Sequence, residues 1–557
     1  MKRSLLILLI ICTIFSCVSC RGRFIAPPQE APTTEEKPGD HFDFTPPDDN
    51  PKSDILGEAW IDHAYVKTAT NGKCPPYSST TYRVYMAKAE TEGCQIVFKP
   101  EADVASVALK CVHQDAASFE YKIYSLETTY EMYGANLPDP ASEYAEGRRF
   151  SVEAGRALPF LVEFKTTAET KAGFYPFVFE LRDASERTVA QYSIIVRVWD
   201  ITIPEKKSYQ SSIGITSKDI TTFFFGHKTN MTEEVYLNYY ELLLEHNLTA
   251  TDLPYDILDE RADAYMSDPR VTAFRVPHDV SDETLKAYYD KLSSNNKWLK
   301  KAYFMPMLEP DSLEEIEDFC YAAMRLQQIC PKIRITAPIS KDIQLDAIGW
   351  DQINQMKGYC TLWAPKLCLW DDEVAYGDHD YVHSMSFEAR MRKMMSENFG
   401  VWTYLNHRPG DPYISLSAHV AGHKQRILFW QQYQRGIHGL VYTSSTAWNT
   451  TKKVNPWETL DTGLRDANLK PAYGEGVLFY PGEKITDTPT VSMRMKIMRD
   501  GIDDIELFML AAKTLGNKWV NERINAATTS LSYVDADAYM LMYLRIEIGN
   551  ALEKALP

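Results

Sequence analysis

Glu309 is the carboxyl group whose surroundings most favour chemistry, in the segment Met307-Leu308-Glu309-Pro310-Asp311. It follows an apolar run, and Ser312-Leu313-Glu314-Glu315 behind it is a capping box that predicts a helix start. A carboxyl group in apolar surroundings at a strand end can keep a proton and act as a general acid. The alternative is a loop carboxylate near a helix N-terminus, without a catalytic role.

Other polar and aromatic side chains follow further apolar runs. Aromatic faces stack on the C–H surfaces of sugar rings, and neighbouring amides and carboxylates bind the hydroxyl groups. Aromatic residues at strand ends can equally be core packing. We expect a sugar-binding surface beside Glu309 made of Asp252, Trp363, Tyr404, Asn406, Trp448 and Asn449.

The sequence predicts no metal site and no cofactor. The segment from Asp371 to His383 is rich in oxygen and imidazole ligands but lacks a calcium-loop or HExxH spacing, so a solvated acidic loop is the better interpretation. Asp500 to Glu506 lacks the alternation of calcium ligands and lies in a predicted helix. Dinucleotide, P-loop and GxSxG motifs are absent from the sequence.

The pattern of predicted secondary structure that must position these residues changes near residue 204. Residues 53 to 204 contain short β-branched and aromatic runs between turn residues, which predict an N-terminal β-sandwich. From 205 to 557 apolar runs alternate with helical patterns, which predict a (β/α)8 barrel closed by C-terminal helices. The predicted barrel strands are Ser211–Ile215, Thr249–Leu253, Val271–Val276, Ala302–Met307, Ile333–Ala337, Gly358–Trp363, Gly400–Leu405 and Gly439–Thr443. The fold class is thus multidomain, β followed by α/β.

Composition and charge indicate a globular chain and disfavour one class of partner. The chain has 557 residues, 45% of them apolar, so it is long enough for two or three domains with full cores. A formal net charge of −17 disfavours nucleic-acid binding. Aromatic residues make up 12%, a surplus that a core or a sugar-binding groove would use.

The N-terminus predicts export and anchoring. Residues 1 to 20 join Lys2 and Arg3 to an apolar stretch too short to span a bilayer and end in Cys17 and Cys20, a pattern typical of a lipoprotein signal. Either cysteine could be lipidated, and an ordinary cleaved signal is the alternative. Residues 21 to 52 form a Pro-rich, acidic tether. We expect a bacterial envelope protein that touches the membrane only through its lipid.

Seven cysteines lie beyond the signal, an odd number without regular spacing. They do not form a disulfide framework or a zinc site, and we interpret them as buried apolar residues. They are Cys74, Cys94, Cys111, Cys320, Cys330, Cys360 and Cys368.

Several segments together resemble glycoside hydrolase family 123, in which a β-sandwich precedes a (β/α)8 catalytic domain. The most specific is Arg499-Asp500-Gly501-Ile502-Asp503-Asp504-Ile505-Glu506. The others are Glu309-Pro310, Arg426 to Trp430, Gly436 to Tyr442, Trp448-Asn449, Asn455-Pro456-Trp457, Gly474 to Gly482 and Met493-Arg494.

The resemblance implies an exo-acting β-N-acetylgalactosaminidase type of activity, in which the 2-acetamido oxygen of the substrate attacks the anomeric carbon. It also implies an Asp before the acid, and here Leu308 stands at that position. Three alternatives follow. In the first, the chain is a glycosidase that pairs Glu309 with another carboxylate, such as Asp252, Asp256 or Asp371. In the second, it is a glycan-binding homologue with little or no activity. In the third, it is a structural lipoprotein.

Overall fold

The structure is a computed structural model of the whole chain. It describes residues 44, 50–76, 78–115, 119–310, 312–339, 355–370, 387–397, 400–408, 410–449 and 451–556. Residues 44 to 557 form one compact unit. Its helices and strands are mixed, and this α/β character is what the sequence predicts. Within the described residues, no helix has the length and apolar character needed to cross a membrane.

The first ten strands form two sheets that share one apolar core. The first sheet has the order β1-β3-β8-β5-β6 and the second β2-β10-β9-β4-β7. Inward side chains of both sheets, among them Ile96, Phe160, Phe177 and Val196, form a common buried cluster. The bounds are β1 Gly57–His63, β2 Thr81–Lys88, β3 Thr91–Pro100, β4 Val104–Gln114, β5 Glu120–Met132, β6 Ala135–Glu143, β7 Phe150–Val152, β8 Leu158–Lys165, β9 Gly173–Asp183 and β10 Thr188–Thr202.

The first sheet does not end at residue 204. Two short strands from far along the chain, β19 (Phe479–Tyr480) and β20 (Thr490–Ser492), extend it beyond β6. Val491 pairs with Ala141 in an antiparallel ladder. The predicted boundary therefore separates two patterns of sequence, while the hydrogen-bonded sheet uses residues from both sides of it.

Beyond residue 204, eight short strands and residues 249–251 are hydrogen-bonded in a closed circuit of parallel pairs, in which two consecutive short strands, 400–401 and 403–405, share one position. Residues 249–251 join β11 to β12, because Ile213 N–H donates to Thr249 O and Arg275 N–H to Thr251 O. At the other junction, Trp402 N–H donates to Trp363 O at 2.7 Å. The strands are β11 Gln210–Ile213, β12 Phe274–Arg275, β13 Ala302–Phe304, β14 Arg334–Ile339, β15 Leu362–Pro365, β16 Gly400–Val401, β17 Thr403–Leu405 and β18 Gly439–Tyr442. We call this circuit the ring.

Alternate residues of the ring strands fill its interior. Leu362, Ala364, Trp402 and Tyr404 belong to one small buried cluster, and the Tyr303 and Trp402 rings meet edge to face at 5.2 Å. The intervening Trp363 belongs to the larger core that includes the surrounding helices. The ring is thus packed with side chains, which is typical of small closed parallel sheets.

Some of the helices begin at a side-chain cap. Ser312 accepts a backbone N–H bond at the start of α6, where the sequence predicts a cap, and Thr232 does the same at the start of α2. The bounds are α1 Ser217–Phe225, α2 Glu233–Glu245, α3 Ala262–Ser267, α4 Asp282–Ser293, α5 Asn296–Lys301, α6 Leu313–Ile329, α7 Phe387–Ser396, α8 Gly422–Arg435, α9 Met493–Leu515, α10 Asn517–Ala527 and α11 Ala538–Ala555.

A buried cluster of charges ties α8, α9 and α11 to the first sheet. Asp504 of α9 accepts from Arg426 of α8 at 2.7 Å and from Arg545 of α11 at 2.6 Å. Arg426 also bonds Glu92 on β3 at 2.8 Å, and Arg545 bonds Glu90 just before β3. The Asp500–Glu506 segment is therefore helical, as the sequence predicts, and its aspartates are ion-paired.

The predicted strand Ala302–Met307 is shorter in the structure. β13 ends at Phe304, two residues before Pro306, so the proline removes no hydrogen bond from the ladder. Four of the seven cysteines, Cys94, Cys330, Cys360 and Cys368, are buried, which agrees with their predicted apolar role.

Candidate active site

Glu309 lies at the carboxyl end of the ring, in the segment between β13 and α6. Its backbone is left-handed, with φ of 52°, a conformation that costs a non-glycine residue of the order of 1 kcal/mol. Its side chain is 29% exposed and its Oε1 lies 2.9 Å from Nζ of Lys366. The Lys366 side chain, directly after β15, is only 3% exposed. The carboxylate therefore faces the open end while its cation partner lies beneath it.

Tyr404 and Asn406, at the end of β17, complete the cluster. Asn406 Nδ2 lies 3.4 Å from Glu309 Oε1 and 3.1 Å from the Tyr404 hydroxyl. The Lys366 ammonium lies 5.5 Å from the centre of the Tyr404 ring, within cation–π range. Burial, followed by the charge of Glu309, raises the pKa of Tyr404 well above its usual value, so its hydroxyl stays protonated.

The cluster can bind and polarise a hydroxylated ligand. It joins the partly exposed Glu309 carboxylate and the Asn406 amide to a buried ammonium and a buried neutral phenol, from the ends of β13, β15 and β17. The partners of Glu309 among the described residues are a cation and an amide, not a second carboxylate. Leu308 is 48% exposed beside it, in the position where the resemblance implies Asp.

Asp252 also lies at the end of a ring strand, but a cation holds it. Arg275 of β12 grips it in a bidentate pair, with N···O distances of 2.9 and 2.8 Å. Asp256 accepts from the Tyr288 hydroxyl at 2.6 Å and from the Leu258 N–H at 2.8 Å, which fixes the following turn. The structure thus places both alternative carboxylates in contacts of their own rather than with Glu309. Asp371 lies outside the described residues.

The two tryptophans predicted to bind sugar lie in the core. Trp363 and Trp448 are both 0% exposed. Trp363 points away from the ring interior, and Trp448 packs edge to face on Phe223 and donates to Phe479 O at 3.0 Å. Asn449 is half-buried. The structure brings Tyr404 and Asn406 to Glu309, whereas neither tryptophan offers a face to a ligand.

Sequence reasoning missed Lys366 because it ended a strand too early. The predicted strand Gly358–Trp363 placed Trp363 at the open end, but β15 runs Leu362–Pro365. The residue after the strand is then Lys366, and period-two alternation turns Trp363 towards the helices. The signal was present in Ala364-Pro365-Lys366, where a lysine follows the last small residues of an apolar run.

Other predicted sites cannot be placed. Cys17, Cys20 and the acidic segment from Asp371 to His383 lie outside the described residues. In the part of the chain that is described, no group of three His, Cys, Asp or Glu side chains is arranged to hold a metal ion.

Comparison with known proteins gives a match at the level of structure. No protein-family model matches the sequence, and no curated protein does. A family 123 glycoside hydrolase from Clostridium perfringens, solved to show how glycolipid glycans are hydrolysed, matches with a TM-score of 0.62. The match covers 90% of this chain and 98% of that one, at 13% identity. The chain has the fold of this glycoside hydrolase.

Two further solved structures match more weakly. A glycosyl hydrolase family 2 member from Bacteroides cellulosilyticus has a TM-score of 0.21 at 8% identity, covering 70% of this chain and 46% of that one. A Niemann-Pick type C2 protein from the Japanese carpenter ant has a TM-score of 0.14 at 11% identity, covering 27% of this chain and 96% of that one. Scores this low do not indicate a common overall fold.

The motif that most specifically suggested the family has a structural role. Each acidic residue of Asp500–Glu506 is engaged away from Glu309: Asp500 by Arg499, Asp503 by Lys207, Asp504 by two arginines and Glu506 by Ser208. The acidic residues of the motif therefore join α9 to its neighbours. Any catalytic activity must come from the cluster around Glu309.

Proposed function

We propose that the chain is a glycoside hydrolase that acts at the carboxyl end of the ring, with Glu309 as its catalytic carboxyl group. The observation that carries the proposal is the strained Glu309 backbone at that end, with Lys366 and Asn406 on the side chain. Strained residues persist where surrounding contacts enforce them, and they cluster at functional sites. The family 123 fold supports a glycan substrate.

The proposal includes the architecture that the sequence predicts, a β-sandwich followed by a (β/α)8 barrel. Two sheets around a shared core support the first part, and the closed circuit of parallel pairs supports the second. Enzymes with such barrels act at the carboxyl ends of the strands, which is where Glu309, Lys366 and Asn406 meet.

The ion pair sets a condition on the proposed general-acid role. A carboxylate bonded to an ammonium is an anion, whereas a general acid must bring a proton to the leaving oxygen. Glu309 can do so once the substrate enters and separates Oε1 from Lys366. Asn406 remains as an amide donor to Oε1 of Glu309, and its second contact, to the Tyr404 hydroxyl, holds the amide in place.

Leaving-group dependence tests the role of Glu309. We expect Glu309→Gln to lower kcat/KM about 100- to 10,000-fold on phenyl or alkyl glycosides, because the leaving oxygen then receives no proton. Dinitrophenyl glycosides, whose leaving group needs no proton, should lose far less. The measurement is steady-state hydrolysis of a panel of aryl glycosides. The matched control is Glu314→Gln, at an exposed position of helix α6.

Equal losses on good and poor leaving groups would contradict the general-acid role and favour Glu309 as a nucleophile or charge stabiliser.

The second candidate, a glycan-binding homologue, is favoured by Leu308 and by the absence of a second carboxylate among the described partners of Glu309. Glycan-array binding without hydrolysis by the unaltered chain would support this candidate and overturn the enzyme.

A further inference from the structure

A basic cavity lies at the opposite end of the ring from Glu309. Its volume is about 330 Å³, within the range of small-ligand sites. Its walls come from the segment that leads into β11 and from α5, which leads into β13, so it opens at the amino ends of the strands. The lining residues are Lys206, Lys207, Ser208, Gln210, Thr272, Asn296, Lys297, Lys300 and Lys301.

Five lysines in one cavity are unusual in a chain with a formal net charge of −17. Two of the five are held by the protein. Lys207 pairs with Asp503 at 2.8 Å, and Lys301 donates to Met266 O at 2.9 Å and Asp268 O at 2.7 Å. An ammonium has three N–H donors, so Lys301 keeps one for a ligand.

The remaining three, Lys206, Lys297 and Lys300, are exposed. None of them forms an ion pair with any residue that the structure describes. Burial, followed by the charges of Lys206 and Lys297, lowers the pKa of Lys301 to about 8, against the opposing charge of Asp268. The amines thus repel one another, and a bound anion would relieve that repulsion.

One lining residue, Gln210, is bonded to a cation that does not itself line the cavity. Gln210 donates to Thr272 O at 2.7 Å and accepts from the Arg334 guanidinium at 2.7 Å. Arg334 is half-buried, its buried Nε–H has no partner among the described residues, and its guanidinium lies 5.6 Å from the Trp402 ring. Gln210 is therefore fixed at both ends of its amide, by the Thr272 carbonyl and by the Arg334 guanidinium.

We propose that this cavity binds an oxyanion, a phosphate or sulfate group, through Lys206, Lys297, Lys300 and Lys301. Ammonium groups are strong point-charge partners for such anions, and several converging on one cavity provide more charge than surface lysines do singly. The site is independent of Glu309, since it lies at the other end of the ring and shares no residue with that cluster.

Calorimetric titration of the full chain with inorganic phosphate and inorganic sulfate tests the proposal. We expect binding that weakens as ionic strength rises. The triple variant Lys206→Gln, Lys297→Gln and Lys300→Gln should bind at least about tenfold more weakly, because it removes three exposed charges without touching a buried contact. The matched control removes three exposed lysines elsewhere, by Lys286→Gln, Lys424→Gln and Lys470→Gln, and should bind within about twofold of the wild type.

The same titration distinguishes the sources of the anion. Glucose 6-phosphate and a sulfated disaccharide binding more tightly than the inorganic ions would assign the site to an ester-bearing sugar, and the reverse order to a free anion. No binding of any probe up to about 10 mM would overturn the proposal, as would equal weakening in the two triple variants. Glu309→Gln should leave anion affinity unchanged, so failure here is separate from failure of the proposed hydrolase.

Discussion

At position 309 the backbone and the side chain have opposite energetic preferences. A left-handed φ of 52° favours Gly or Asn, yet the residue is a glutamate whose carboxylate is bonded by Lys366 and Asn406. Five other non-glycine residues of the described chain share a positive φ, so the strain alone does not single out Glu309. What distinguishes Glu309 is the contact of its carboxylate with Lys366 and Asn406, and these neighbours determine which chemistry is available.

Leu308 is the residue at which activity can be gained. The resemblance implies that an Asp here would contact the 2-acetamido group, and at 48% exposure Leu308 has little burial to lose. We expect Leu308→Asp to raise kcat/KM on aryl 2-acetamido glycosides about 10- to 100-fold, since a charge-assisted hydrogen bond forms in the transition state. Aryl glycosides without the acetamido group should gain nothing.

Leu308→Asn provides the control, because it adds a polar group of the same size without the charge. Hydrolysis raised as much by Asn as by Asp would show that polarity alone is limiting. If neither substitution raised the rate of hydrolysis, the side chain at position 308 would not contact the substrate.

At the scale of elements, sequence patterns predicted the existence of strands better than their ends. Each of the eight predicted segments coincides with a ring strand or with residues 249–251, because β-branched runs between turn residues leave little alternative. The predicted end of β15 was two residues too early, and for that reason Trp363 was predicted as a site residue instead of Lys366. Tertiary hydrogen bonds, which the local pattern does not encode, decide where a strand stops.

Helix α9 needs its glycine. A Cβ at Gly501 would lie 2.4 Å from Cδ2 of the buried Phe429 on α8. Helix propensity alone would make Gly501→Ala stabilising by about 1 kcal/mol. We expect the opposite sign, a loss of about 1 to 3 kcal/mol in the free energy of unfolding measured with urea, because overpacking dominates. In a Phe429→Leu background the loss should shrink, and an unchanged loss there would refute the steric cause.

The C-terminal end of α2 has a pH dependence that can be isolated. Burial, followed by the charges of Lys496 and Arg499, lowers the pKa of His246 from 6.5 to about 3. The unfolded chain then takes up a proton below pH 6.5 that the folded chain does not, so folded stability falls as pH falls. Relative to His246→Asn, the wild type should lose about 1.4 kcal/mol per pH unit below 6.5.

Urea unfolding at pH 7, 6 and 5 measures that difference. Comparing two chains removes the opposing contribution of Glu90, whose pKa burial raises to about 8. Parallel pH profiles for the two chains would show that His246 is protonated in the folded state.

At the scale of the molecule, Asp504 couples three helices to the first sheet. Its carboxylate is fully buried and accepts from Arg426, Arg545 and Trp430. Asp504→Asn should cost about 3 to 5 kcal/mol in the free energy of unfolding, because it leaves buried guanidinium groups without a counter-charge.

The matched control for Asp504→Asn is Glu153→Gln, which breaks the exposed ion pair to Arg156 and should cost no more than about 0.5 kcal/mol. Similar losses for the two variants would mean that the buried cluster does not hold the helices to the sheet.

The sequence could not reveal this coupling. Asp504, Arg426 and Glu92 are hundreds of positions apart at the extremes, and each has many possible partners in a chain with 76 acidic and 59 basic residues. The family resemblance marked the segment as specific without indicating why. Only the folded geometry shows that its carboxylates are used for joining elements rather than for catalysis.

The pairing of β20 with β6 has a consequence for how the chain is made. The β6 edge, complete at Glu143, is covered only when Thr490 has been synthesised, about 350 residues later. At roughly 5 to 20 residues per second that interval is about 17 to 70 s. During it an unpaired edge strand is open to other chains. Aggregation during synthesis, rather than instability of the finished protein, is therefore the hazard that a slow ribosome or a truncated message would create.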